Sequence, residues 1–226
     1  MPDEAFEKPT EGCWFTTQMA DMRKNGGVTR VPYQRGFPVH TAWDIGKGDG
    51  TAIWCFQKVG IHFRFIDFIE DWGKEYDYYV EALQSRKYVL GTHFLPHDAA
   101  HERQAKTSKD AKTAKVILEE LGLTDIKIVK QVHRKILAIN AARAIIPQCY
   151  FDVSACAKGL DHLDSYAKIW NTERAEWTSE PKHDIHSEAA DAFMQFATGW
   201  EDPTVVDIDA LLDRRNSYTS TNPFNR

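Results

Sequence analysis

The chain has 226 residues, a formal net charge of −5, and 42% hydrophobic and 12% aromatic content. That length and apolar share suit one large domain with a full core and exclude general disorder. No apolar run nears the ~18 residues of a membrane span, Met1 to Pro9 are too polar for a secretory signal, and mild acidity does not exclude a polyanionic partner, because the local field decides such contacts.

Glu11 to Lys24 reads as a short helix broken at Gly26-Gly27, and Val28 to Val39, with Pro32 and Pro38, as an extended lead-in. His40 to Ile45, Thr51 to Val59 and His62 to Phe68 are short β-branched and aromatic runs. Gly46-Lys47-Gly48-Asp49-Gly50 makes a turn after the first, and three antiparallel strands result. Glu75 to Ser85 switches to helical spacing, with Tyr76, Tyr79, Val80 and Leu83 on one face. Tyr88 to Leu95 is a fourth strand, stopped by Pro96. A helix from Ser108 to Leu121 ends at Gly122, a short strand covers Ile126 to Val129, and a helix from Val132 to Ile146 ends at Pro147. Asp161 to Trp170 and His186 to Ala197 are two further helices, and a polar tail with an apolar patch at Val205 to Leu212 follows. This order predicts an α/β domain, a mixed sheet with helices on both faces.

Four cysteines, Cys13, Cys55, Cys149 and Cys156, show no CxxC spacing. Cys55 and Cys149 lie in apolar text and are expected to be buried thiols in a reducing cytosol rather than zinc ligands.

Three carboxylates stand out by position. Asp44 lies inside an apolar strand, Ala42-Trp43-Asp44-Ile45-Gly46, where a charge is costly unless paired or metal-bound. Asp98 falls just past the fourth strand, in Pro96-His97-Asp98-Ala99, at the edge where ligands collect in open α/β sheets. Asp191 follows Ala189-Ala190, small residues that let a helix approach a sheet, and Asp184, Glu188 and Asp191 share one helical side. Taken singly, each has an ordinary alternative: a strand-end cap, a loop or helix cap, and a solvated acidic face. Converging at one sheet edge, they would make a hard-oxygen site for Mg²⁺ or Mn²⁺, with Asp184 as a further candidate ligand. Two such ions about 4 Å apart serve phosphodiester hydrolysis by activating water and neutralising the leaving oxygen, and Asp44 is the expected bridge.

Other polar residues are weaker signals. Asp49 reads as a turn residue, and His97, His101, His183 and His186 flank the second and third aspartates without forming an HExxH pair. Lys47 and Lys182 are the candidates for meeting DNA phosphate. Arg23, Lys24, Arg30, Arg134, Lys135 and Arg143 could contribute to a DNA track, but their sequence positions do not put them on one face. No GxxxxGK[ST] loop occurs, so the chain itself is not expected to hydrolyse ATP.

Four stretches together resemble the C-terminal nuclease domain of a tailed-bacteriophage large terminase. They are Glu11-Gly12 through Val31-Pro32-Tyr33; His40 to Gly46 with Asp49; Leu95 to Ala99; and His183 to Ser187 with Ala190-Asp191-Ala192. The likeness spans roughly residues 11 to 200. It implies an RNase H-like fold and a two-metal endonuclease that cuts concatemeric viral DNA, with Asp44, Asp98 and Asp191 as the acidic triad. It divides the chain into a lead-in from an ATPase motor (1–39), the nuclease domain (40–200) and a C-terminal tail (201–226), as an excised domain or a separate gene product. The implied partners are double-stranded DNA, the ATPase domain, the small terminase subunit and the portal protein, with no membrane, in the cytoplasm of the infected host. One departure is Glu188, where the family often has histidine. Other RNase H-like nucleases, a Holliday-junction resolvase or an integrase-type enzyme, would present the same acids, and a non-catalytic docking module would leave them inert.

Overall fold

Hydrophobic alternation from Val39 onward builds the centre of the fold. In the computed structural model, which describes residues 11–46, 50–100 and 112–201, β2 (Val39–Ile45), β3 (Gly50–Val59) and β4 (His62–Trp72) form the expected antiparallel meander. Before it come α1 (Thr16–Lys24) and a two-residue strand, β1 (Val28–Thr29). After it come α2 (Tyr76–Ser85), β5 (Leu90–Leu95), α3 (Ala114–Glu120), β6 (Ile126–Ile128), α4 (Lys135–Ile145) and β7 (Cys149–Asp152). The chain continues through α5 (Ala157–Ser165), a hairpin of β8 (Lys168–Asn171) and β9 (Glu176–Pro181), and α6 (Ser187–Gly199).

The main sheet has the order β1-β7-β4-β3-β2-β5-β6. Within it, β3 is antiparallel to both neighbours, whereas β2, β5 and β6 run parallel and β4, β7 and β1 run parallel. The run β4-β3-β2-β5-β6 is the RNase H-like order, so the expected mixed sheet with helices on both faces is the one observed. Among the described residues no helix is long and apolar enough to cross a membrane.

Several elements differ from the sequence reading. The stretch Val28 to Val39 does more than lead in, because Val28–Thr29 pairs with Phe151–Asp152 as an outer strand. The expected helix over Asp161 to Trp170 begins earlier, at Ala157, and stops at Ser165. Asp152 accepts the backbone N–H groups of Ser154 and Ala155 at 3.0 and 2.9 Å, which turns the chain into the helix early. Tyr166 then adopts an extended conformation, φ −64° and ψ 108°, and releases the chain into the hairpin. Ser108, the expected cap of α3, lies outside the described residues; the described helix is capped by Thr113, whose hydroxyl accepts the Val116 N–H at 3.2 Å. Gly122 ends it as expected, at φ +99°.

Each face of the sheet carries its own core. One face packs α1, α4, α5 and α6 over Trp54, Phe56, Phe65 and Phe151, with Phe193 and Phe196 supplied by α6. The other covers Trp43, Ile53 and Leu95 with Tyr79 and Leu83 of α2 and Leu118 of α3. Three buried polar side chains on this second face are linked to one another. Trp43 Nε1–H donates to Thr41 Oγ1 at 2.6 Å, and that hydroxyl lies 2.6 Å from His93 Nδ1. Burial holds His93 neutral, with its pKa pushed down to about 4. Cys55 and Cys149 are buried free thiols.

Gly159 on α5 marks the tightest helix-to-sheet approach, because a Cβ there would overlap the Trp54 indole and meet the Phe68 ring. Trp54 cannot move aside cheaply; it is fully buried and its Nε1–H donates to the Ala189 carbonyl of α6 at 2.8 Å. Gly159→Ala is therefore expected to cost about 2–3 kcal/mol of stability by overpacking, read as a lower urea midpoint. A midpoint equal to wild type would mean that α5 can shift outward freely.

Candidate active site

Strand alternation decides which way Asp44 faces. On β2, Trp43 belongs to the α2–α3 core and Ala42 to the α6 core. With a period of two, Asp44 shares the face of Ala42, beneath α6. Because β2 and β5 are parallel and register Thr41 with His93 and Ala42 with Phe94, their C-terminal ends lie side by side. A 3₁₀ turn, His97–Ala100, follows β5 and carries Asp98. Helix α6 packs on β2, β3 and β5, and its apolar side is formed by Ala189, Ala190, Ala192, Phe193 and Phe196. Glu188 and Asp191, three residues apart, are neighbours on this helix.

These positions put Asp191, Glu188 and Asp98 within electrostatic range of Asp44. Asp44 has its carboxyl pKa pushed well up, first by burial and then by the negative charges of Asp191, Glu188 and, more weakly, Asp98, while Lys135 opposes them. Asp191 is also raised, chiefly by burial, against the pull of Lys135 and His183. Nearby, the Tyr166 hydroxyl is raised by burial and by Asp191, Asp184, Asp44 and Glu188. The ammonium of Lys135, at the start of α4, lies 2.6 Å from Asp191 Oδ1. Among the described residues no three His, Cys, Asp and Glu side chains form a group that could hold a metal ion as they stand.

The sequence puts Glu188 on one helical side with Asp191 but assigns it no role. In the structure it is buried, its Oε2 accepts the Ser187 hydroxyl at 3.0 Å, and its charge acts on Asp44. The signal was available in the i, i+3 spacing to Asp191. Asp184 behaves differently: it accepts the His186 N–H at 3.0 Å and pairs with Lys182 at 3.1 Å. Burial would raise its pKa, but these contacts outweigh it and leave the group below its ordinary value. Asp184 therefore stands at the entrance to α6, and its charge is not among those acting on Asp44. Lys182 is exposed beside it. Lys47, Asp49 and His101 lie outside the described residues.

A buried relay braces the start of α6. Glu70 at the end of β4 accepts Lys158 Nζ–H at 2.7 Å and His162 Nε2–H at 3.0 Å. Burial favours its neutral form, but those two bonds prevail and lower its pKa. On its other side, His162 Nδ1 lies 2.9 Å from His186 Nδ1 and shares a hydrogen bond with it. Glu70 Oε1 is buried without a partner among the described residues. Neither His162 nor Glu70 stood out in the sequence, because their relation is purely tertiary.

No protein-family model matches the chain, and no curated protein matches it by sequence. Solved structures do share its fold. The chain is similar to the large terminase nuclease domain of phage P22, at 12% identity and a TM-score of 0.56 over 77% of this chain and 88% of that one. It is likewise similar to the large terminase nuclease of thermophilic phage G20c with bound magnesium, at 12% identity and a TM-score of 0.53 over 85% and 100%. Against the large terminase of another thermophilic bacteriophage, solved in complex with ADP, it gives 15% identity and a TM-score of 0.56 over 75% of this chain. It spans about two fifths of that protein's length, 41%. The fold is thus RNase H-like. More narrowly, it is the fold of large terminase nuclease domains, the same proteins that the acidic motifs resemble.

Proposed function

We propose that this chain is the nuclease domain of a phage large terminase, a Mg²⁺- or Mn²⁺-dependent endonuclease that cuts concatemeric viral DNA with two metal ions. The observation that supports the reading is that the charges of Asp191, Glu188 and Asp98 all act on buried Asp44, at the end of a central strand whose parallel neighbour leads to Asp98. The donors are all carboxylate oxygens, and one of them, Asp191, already holds the Lys135 ammonium at 2.6 Å. Both facts fit a hard divalent cation. The phage SPP1 large terminase nuclease domain was solved with bound manganese, and that of G20c with magnesium and with cobalt, which favours a divalent ion here as well.

Asp44, Asp98 and Asp191 would hold the ions, with Asp44 between them and Asp184 a more distant candidate. Bound metal would supply an acidified water and charge neutralisation at the leaving oxygen. The chain's own residues set the stage for that chemistry. Asp44 and Asp191 would present their carboxylates to the ions, and Lys135, paired with Asp191 at 2.6 Å, would be placed to meet a phosphate. Lys47 and Lys182 are further proposed DNA contacts. Residues 1–39 would lead in from a motor domain and 201–226 would form a tail. Double-stranded DNA, the ATPase domain, the small terminase subunit and the portal would be the partners, in the cytoplasm of the infected host.

The test is nicking of supercoiled plasmid. Cleavage is expected with Mg²⁺ or Mn²⁺ and none with EDTA, and no preference is expected for four-way junctions over linear duplex. Strong junction preference would favour a resolvase, and DNA binding without cleavage under either ion would leave a docking module instead.

A further inference from the structure

A cleft of about 150 Å³ opens beside Asp191, between α4 and α6. From α6 it is lined by Asp191, Met194, Gln195 and Thr198, whose i, i+3, i+4, i+7 spacing makes one stripe along the helix. Ala138 of α4 lies opposite, and Lys130 and Gln131, from the segment between β6 and α4, stand at the rim. Seven residues of helix measure about 10 Å.

We infer that this cleft seats the sugar–phosphate backbone of one DNA strand next to the phosphate at the carboxylates, with Lys130 meeting a neighbouring phosphate and Gln131 and Gln195 donating along the rim. The inference rests on the nuclease reading and extends it to a strand path. Three features single out a backbone. The stripe begins at a proposed metal ligand, so a strand in the cleft is continuous with the site. Its centre at Met194 and Ala138 is apolar, which suits the sugar edge, while its rim is amide and ammonium. Lys130 is exposed and has no ion pair among the described residues, whereas the neighbouring Lys127 is engaged by Glu201 at 3.1 Å and by the Gly199 carbonyl at 2.9 Å. An ammonium held by no carboxylate at the mouth of a polar cleft is available to a phosphate.

Binding is best read without cleavage, by fluorescence anisotropy of a labelled duplex in an Asp44→Asn background. One phosphate contact fewer changes the salt slope by about 0.9, so adding Lys130→Ala is expected to weaken binding about fivefold at 0.15 M salt and to flatten the slope by that amount. Gln195→Glu, which sets a charge against the backbone, should weaken it at least as much. In the cleaving protein each change should raise KM with a much smaller effect on kcat. Lys58→Ala, at the far end of β3 from the carboxylates, is the control and should do neither. If both cleft variants bind within twofold of their parent at an unchanged slope while the wild type cuts plasmid, the strand path is wrong and the nuclease reading stands. If the wild type cuts nothing with either ion yet Lys130→Ala still flattens the slope, the nuclease reading falls and the cleft remains a DNA seat.

Discussion

Asp44→Asn is expected to abolish metal-dependent DNA cleavage, by at least about a thousandfold, the scale of removing a group that acts on the transition state. The fold should survive, because the Asp44 carboxylate is surrounded by like charges. In EDTA the variant should melt higher than wild type at pH 8. The sign follows from the proton balance. The folded pKa values of Asp44 and Asp191 are raised above their ordinary 3.8, by burial first and, at Asp44, by neighbouring carboxylates. As pH falls, the native state takes up protons before the unfolded state does, so wild type recovers stability from the folded pKa down to 3.8. The advantage of the variant should therefore shrink as the solution is acidified. His93 shifts stability the other way, its neutral buried form being lost to protonation toward pH 4, but it is common to both proteins and cancels in the difference. A variant that still cuts, or a melting difference that is the same at pH 5 and pH 8, would remove Asp44 from the centre of the site.

Glu188→Gln should slow cleavage about a hundredfold, comparable with losing a group that supports metal ligands. Asp184→Asn should change it only a few-fold. The contrast separates two acids that the sequence put on one helical side. Glu188 is buried, acts on Asp44 and accepts the Ser187 hydroxyl; Asp184 accepts the His186 N–H just before the helix and is paired with Lys182. Plasmid nicking at saturating Mg²⁺, and again over a Mg²⁺ titration, distinguishes lost chemistry from lost metal affinity. Equal effects at the two positions would contradict the placement.

Much of this site was legible in the sequence because local rules coincide with the tertiary requirement. A strand interior does not tolerate an unpaired carboxylate, which made Asp44 conspicuous. Asp98 was conspicuous because Pro96 ends β5 just before it, and Asp191 because alanines precede it. The meander was readable from its β-branched and aromatic runs. The rest depended on long-range partners. β7 is only four residues long and β1 two, too short for periodicity to register; β7 is a strand because β4 and β1 flank it, and β1 because β7 is beside it. The first strand of the β8–β9 hairpin was taken for helix because Lys168–Asn171 continues smoothly from α5 in composition, and only the extended conformation of Tyr166 separates them. Lys135 as the ammonium at Asp191, and the Glu70–His162–His186 relay, join residues far apart in the chain and leave no local trace.

The parallel pairing of β2 with β5, closed over by α6, also governs when the site can exist. During synthesis Asp44 emerges early and Asp191 late, and the carboxylates cannot gather until nearly the whole domain has left the ribosome and α6 has docked. A nascent or truncated chain therefore carries no assembled cluster, and whatever reaction these acids perform is switched on by completion of folding itself.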